Sequence, residues 1–266
     1  MNYSRAQIVA TIGPVSKDRA IIKQMMLHQM DVVRLNFSWG TYDEHANYIA
    51  TIREVARELG RRMPIIQDLS GPRLKTEAGH HIDPGAVEVI TEKDLRDLKF
   101  GLEQNIDYVA MSYVGGKNDI REIKRRIKEL GHKTPVIAKI ERQAALENLD
   151  EIIDEADAIM IARGDLGNEV PLEQIPFIQN MIIKKSKAAV KPVITATQMM
   201  FSMTKNSTPT RAEVTDVAFA IISGSDAVML SDETANGQYP VEAVAAMERI
   251  VLEAEKYLEF QLLNPL

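Results

Sequence analysis

Residues 134–141 read TPVIAKIE, an apolar run that carries one lysine and closes on a glutamate. It is too short for a helix. Its nearly continuous hydrophobicity suits a parallel strand buried on both faces. Upstream, Asn118–Leu130 has the amphipathic pattern and length of a helix, and downstream the next short apolar run is Ala158–Arg163. The rhythm extends along the whole chain. Strand-like runs occur at Gln7–Gly13, Asp31–Phe37, Met63–Leu69, Tyr108–Val114, Thr134–Glu141, Ala158–Arg163, Lys191–Thr197 and Ala227–Ser231. Helix-like stretches lie between them, among others Asp18–Gln29, Thr41–Leu59, Thr91–Gln104, Leu172–Val190, Thr210–Ser223 and Pro240–Glu259. Three open on a capping-box pair, Thr41 with Glu44, Thr91 with Asp94 and Thr210 with Glu213. Strand alternating with helix implies a parallel sheet with crossover helices. Eight such units in this length match an α/β fold of one domain over residues 1–266, a closed (β/α)8 TIM barrel. A doubly wound open sheet is the alternative, but no GxGxxG follows the first strand.

Composition narrows the function classes. The chain has 266 residues, 45% hydrophobic and 26% charged, with 32 Lys+Arg against 38 Asp+Glu for a net charge of −6. Cysteine is absent, which excludes a disulfide framework, a thiolate zinc site and a cysteine nucleophile. The acidic balance and the lack of a basic run argue against a nucleic-acid partner. Neither a signal-length apolar segment at the start nor a stretch of roughly 20 apolar residues is present, so a cytoplasmic protein without a membrane partner is expected. Two connections interrupt the rhythm: Ser70–Ile90, with Gly71-Pro72, His80-His81 and Pro84-Gly85, and the polar Ser202–Pro209. The end of the chain (Tyr257, Leu258, Phe260, Leu262, Leu263) either packs on its own barrel or offers a patch for a second copy.

A barrel gathers its chemistry at the C-terminal ends of its strands. Residues there are Arg34, Asn36 and Ser38, then Asp68, Ser112, Lys139 and Glu141, Arg163-Gly164-Asp165, Thr195, Thr197 and Gln198, and finally Ser231 and Glu233. Alternation puts Ile137, Lys139 and Glu141 on one face of their strand. Charges inside a barrel are costly unless paired or ligated. Lys139 and Glu141 are therefore either a buried ion pair closing the top layer or part of a site. Asp165, ending the adjacent strand, favours the site: two carboxylates converge beside a cation, hard oxygen ligands suited to Mg2+ or Mn2+. Gly164-Asp165-Leu166-Gly167 can start a short helix whose amides would hold an anion. Thr197 is either a donor to that anion or an ordinary strand threonine. None of the five histidines (28, 45, 80, 81, 132) ends a strand, so proton chemistry is expected of Lys139, a hydroxyl or water. His80-His81 is either a contact over the mouth or a solvated loop.

These residues resemble the barrel domain of the pyruvate kinase family. The matching motifs are ATIGP (10–14), VRLNFSWG (33–40), DLSGP (68–72), TEKDLRDLKFGLEQ (91–104), AKIE (138–141), IARGDLG (161–167), KPVITATQMM (191–200), PTRAE (209–213) and LSDETANGQYP (230–240), in family order. The resemblance implies that Glu141 and Asp165 bind the divalent ion. It implies that Lys139 and Arg34 contact the transferred phosphoryl group. Asn36, Ser38, Asp68 and the Leu69 carbonyl would hold K+. The Gly164 and Asp165 amides with Thr197, and Ser112 nearby, would bind substrate, and Ser231 would belong to a water relay. It also implies departures. The family's lid domain is replaced by roughly Glu77–Glu88 within the 70–90 connection, and its C-terminal domain is lacking. Trp39, Glu44, Lys75, Asp232 and Asn236 stand where the family usually has His, Tyr, Arg, Gly and Lys, on the nucleotide side.

Three functions follow as expectations. The first is phosphoryl transfer between phosphoenolpyruvate and ADP through a metal-stabilised pyruvate enolate on a minimal barrel, as in glycolysis. The second is a metal-dependent decarboxylase or lyase of oxaloacetate or a related 2-oxo acid, using the same enolate site and needing no nucleotide. The third is a catalytically weak metabolite-binding module or assembly subunit. Retention of Lys139, Glu141, Asp165 and Thr197 argues against the third.

Overall fold

Each of the eight apolar runs is a strand in the computed structural model, which describes residues 4–76, 79–82 and 89–263. The strands are β1 Gln7–Thr11, β2 Val32–Asn36, β3 Ile65–Asp68, β4 Tyr108–Met111, β5 Val136–Ile140, β6 Ala158–Ala162, β7 Val193–Ala196 and β8 Ala227–Leu230. Every neighbouring pair is parallel, and β8 returns to β1 with Gln7 opposite Ala227, so the ring closes. Alternate side chains separate into two layers. Val9, Val32, Ile66, Ala110, Ile137, Met160, Ile194 and Met229 fill the interior. Ile8, Ala10, Val33, Leu35, Val136, Ala138 and Ile140 point outward into the core beneath the helices. Burial on both faces is why these strands read as unbroken apolar runs. Each Ile, Val or Leu side chain so buried contributes about 1.5–3 kcal/mol.

The helices close the outer layer. All three capping boxes form: the Thr41 hydroxyl accepts from the Glu44 amide while the Glu44 carboxylate accepts from the Thr41 amide, and the same reciprocal bonds join Thr91 to Asp94 and Thr210 to Glu213. They start the helices Tyr42–Glu58, Glu92–Glu103 and Arg211–Ile222. The β5–β6 crossover consists of two short helices, Gln143–Glu147 and Leu149–Glu155, too brief to leave a long periodic signal. The stretch Leu172–Val190 opens as a 3-10 turn, Leu172–Gln174, before the helix Ile175–Ala188. The last helix, Pro240–Leu263, packs Leu258 partly against the core and leaves Tyr257, Phe260 and Leu263 exposed. Among the described residues no helix is long and apolar enough to cross a membrane.

The connection after β3 differs from the expected plain loop. Arg73–Thr76 pairs antiparallel with Gly79–Ile82, Arg73 opposite Ile82, to make a small hairpin beside the mouth of the barrel. Its base is fixed by tertiary contacts. Gly71 adopts φ +67°, and a Cβ there would stand 3.0 Å from the Ser112 Cβ, so only glycine fits without strain. The Gly71 amide donates to the buried Asp94 carboxylate at 3.1 Å. The side chains of Lys75, His80 and His81, and most of the Glu77–Glu88 segment, lie outside the described residues.

Candidate active site at the mouth of the barrel

A cavity of about 680 Å3 opens at the C-terminal ends of the strands. Its inner wall is polar because strand ends place charged residues where the interior layer stops. Lys139 and Glu141 continue the inward face of β5 above Ile137, as alternation requires. Lys139 is only 5% exposed. Its ammonium donates to Ser112 Oγ at 2.7 Å and Asp68 Oδ1 at 3.0 Å, and lies 2.8 Å from Glu141 Oε1. Asp68 is just as enclosed, and its other oxygen accepts from Arg34 Nε at 2.7 Å. Arg34 Nη1 donates to Thr11 Oγ1 at 3.1 Å. Burial alone would raise the Asp68 carboxyl, but attraction from Lys139 and Arg34 outweighs it and holds the group below the usual carboxylate range. Glu141 goes the other way: burial raises it, assisted by the negative Asp165 and opposed by Lys139 and Arg73.

Two strained residues orient this wall. Tyr113, just past β4, has φ +62°, and its amide donates to Glu141 Oε2 at 2.6 Å. Thr197, just past β7, has φ +68°, an unfavourable conformation for a β-branched side chain. Its carbonyl is clamped by Arg163, whose Nη2 donates at 2.9 Å and Nε at 3.3 Å, while Nη1 donates to Asp216 at 2.6 Å. The Thr197 hydroxyl accepts from the Gly164 amide at 2.7 Å and donates to the Ala196 carbonyl at 2.7 Å. Gly164 and Asp165 lie in the short helix Arg163–Leu166, as their glycine-flanked turn suggested.

The structure therefore brings Arg34, Asn36, Asp68, Lys139, Glu141, Asp165, Thr197 and Ser231 to one cavity. The Ser231 hydroxyl oxygen is buried there with no hydrogen-bond partner. Ser112, Ser38, Leu69 and Gly164 are not among the lining residues. Ser112 stands behind the ammonium and spends its own proton on the Leu69 carbonyl at 2.7 Å. Glu233 is a strut rather than a site residue: it is fully buried and accepts from the Met200 and Ser231 amides.

Two residues escaped the sequence reading. Arg73, at the start of the hairpin, enters the cavity and donates to Asp165 Oδ2 at 2.6 Å and Glu141 Oε1 at 3.4 Å. A basic residue directly after the Gly-Pro turn on the loop-bearing side was the available signal. His45 ends no strand, as expected, but it lines the cavity from the first turn of its helix, a placement the sequence reading did not foresee. Its ring stacks on Phe37 at 4.0 Å, Nε2 donates to the Trp39 carbonyl at 2.9 Å, and Nδ1 is buried without a partner. Burial lowers its pKa, against the opposing pull of the Trp39 carbonyl.

The donor set suits a hard divalent ion. Glu141 and Asp165 face a common point, and the Arg73 guanidinium bridging them shows that positive charge is accommodated there. Among the described residues no group of three or more His, Asp or Glu is placed to hold a metal, so water or substrate oxygens would complete the coordination. The oxygens of Asn36, Ser38, Asp68 and Leu69, the set the resemblance implies for K+, come from the ends of β2 and β3, where Asn36 and Asp68 are register partners. Both Asp68 oxygens already accept from cationic side chains.

The model of the pyruvate kinase barrel domain matches residues 3–89 and 82–244. The chain belongs to the pyruvate kinase family. It is 37% identical to a pyruvate kinase of Thermococcus litoralis, over 96% of this chain and 70% of that protein. It is 37% identical to a pyruvate kinase of Geobacillus stearothermophilus, over 96% of this chain but 58% of that protein. A Dictyostelium discoideum pyruvate kinase is 36% identical over 95% and 67%. The chain thus spans about six- to seven-tenths of the length of these relatives. The first alignment runs over 335 positions against 266 residues here, and the family match divides at residues 82–89, next to the hairpin.

Proposed function

We propose that this barrel binds phosphoenolpyruvate and transfers its phosphoryl group to ADP, as a pyruvate kinase-type phosphotransferase. The observation that carries the reading is the convergence of Lys139, Arg34, Glu141 and Asp165 on one cavity. Phosphoryl transfer needs positioned charge more than covalent chemistry. In this reading Lys139 and Arg34 orient the phosphoryl group and neutralise the charge that builds on it, and Asp68 holds both cations in place. The Thr197 hydroxyl and the Gly164 and Asp165 amides receive the substrate carboxylate, which requires the Gly164–Thr197 hydrogen bond to open and the Thr197 hydroxyl to turn its proton away from the Ala196 carbonyl. In this reading the Ser231 hydroxyl, buried without a partner among the described residues, takes part in a water relay that delivers a proton to the enolate carbon. Glu141 and Asp165 would hold Mg2+ or Mn2+, which when bound supplies Lewis-acid stabilisation of developing negative charge. Asn36, Ser38, Asp68 and the Leu69 carbonyl would hold K+. The short 70–90 connection stands in place of the family's lid, a reading supported by the division of the family match at residues 82–89.

One observation favours a second reading. Four of the five departures on the nucleotide side, Trp39, Glu44, Asp232 and Asn236, line this same cavity. Glu44 and Asp232 bring negative charge where nucleotide phosphates would approach. Decarboxylation of oxaloacetate or a related 2-oxo acid would use the same carboxylate and cation pocket without a nucleotide. The deciding experiment measures pyruvate formation from phosphoenolpyruvate with and without ADP, beside loss of oxaloacetate, each with Mg2+ and K+ and with chelator. ADP-dependent pyruvate that disappears in Lys139→Met supports the kinase. Oxaloacetate loss alone supports the second reading, and no activity on either substrate refutes both.

A further inference from the structure

We infer that Arg73 is a tethered competitor for the divalent ion, setting how tightly the site takes metal. The inference rests on the reading above that Glu141 and Asp165 are the metal-binding pair. The Arg73 Nη2 lies 2.6 Å from Asp165 Oδ2 and 3.4 Å from Glu141 Oε1, so one guanidinium spans both carboxylates. A divalent ion ligated by both needs that same space. The two cations therefore exclude each other, and metal enters only as the guanidinium leaves.

The seat is a poor fit for arginine and leaves it displaceable. The Arg73 Nε is buried with no hydrogen-bond partner, and the contact to Glu141 is long. A guanidinium that satisfied a carboxylate pair would use its planar fork on paired short bonds. Glu141 also has a shorter cationic contact in Lys139, at 2.8 Å, so it is not left bare when Arg73 moves. The backbone of Arg73 begins the hairpin and is tied to the Gly71 carbonyl at 2.8 Å. The displaced side chain stays at the rim of the cavity, where an anionic substrate would meet it.

Mn2+ binding, followed by the electron paramagnetic resonance of the free ion, tests this without any turnover. Arg73→Ala should bind Mn2+ at least about tenfold more tightly than the natural protein, the effect of removing one part-buried opposing pair. Millimolar methylguanidinium should weaken Mn2+ binding to Arg73→Ala, by refilling the seat, and leave the natural protein unaffected. That arm separates competition for a seat from a general loss of positive charge. Arg73→Lys, which retains charge but cannot span both carboxylates, should lie between the two; should Arg73→Ala not fold, Arg73→Lys alone must exceed the natural protein. Equal Mn2+ affinity in all variants, or no methylguanidinium effect in Arg73→Ala, overturns the inference while leaving the metal pair standing. No Mn2+ binding by any of them overturns both.

Discussion

Asp68→Asn probes the element on which the cavity wall turns. The carboxylate is buried and gives one oxygen to Arg34 at 2.7 Å and the other to Lys139 at 3.0 Å. Asparagine keeps the shape but only one acceptor. Its amide group must face one of the two cations, donor against donor. Breaking a buried pair by removing one partner costs about 3–5 kcal/mol. Lys139 retains Glu141 and Ser112, so the amide turns toward Lys139 and the oxygen stays with Arg34. The low end applies, about 3 kcal/mol, which for a chain of this size lowers the melting temperature by about 6–12 °C. Urea denaturation followed by circular dichroism at neutral pH reads the free energy. A cycle with Arg34→Met separates the two halves: coupling between positions 34 and 68 should exceed about 1 kcal/mol. A change within about 0.5 kcal/mol for Asp68→Asn refutes the reasoning, because it means the two cations do not depend on this carboxylate.

Arg163→Met should release the Thr197 carbonyl and let its left-handed backbone relax, lowering kcat/KM for an anionic substrate by about ten- to hundredfold, chiefly through KM. Unchanged steady-state kinetics would show that the clamp does not position Thr197. His45 has a folded pKa lowered below its ordinary value of about 6.5, so the unfolded chain binds the extra proton first. Its contribution to stability is complete above about pH 6.5 and is lost as pH falls from there toward the folded pKa, by up to about 1.4 kcal/mol per pH unit. His45→Gln should flatten that part of the profile between pH 7.5 and 5.5 in parallel urea titrations, and identical slopes would remove His45 as the source.

The ring of strands was legible because barrel strands are buried on both faces. TPVIAKIE announces that burial, and its interruption by Lys139 announces a place where burial stops being apolar. Period-two alternation sufficed to set Lys139 and Glu141 on the inward face, and neighbouring strands carried Asp165 beside them. Arg73 was not legible in the same way. Its position depends on Gly71 fitting against Ser112 and on the Asp94 carboxylate, contacts 23 or more residues apart that no local period encodes. The turns at Tyr113 and Thr197 carry no glycine to mark them, since their left-handed backbone is held by hydrogen bonds to Glu141 and Arg163. The mutual bond of Gly164 and Thr197 was missed for a related reason: residue types name possible donors, while only coordinates show which of them already satisfy one another.

The inner end of the cavity sets Arg34, Arg73 and Lys139 against Asp68, Glu141 and Asp165. Three positive and three negative groups sum to zero formal charge. A balance of formal charge lets a closed ring with an apolar interior carry six acidic and basic side chains at its rim. It also constrains what the rim accepts: a lone dication or a lone polyanion leaves a net charge in a low-dielectric space, whereas the two together largely cancel. Ligands of opposite sign should therefore arrive as partners, each raising the occupancy of the other.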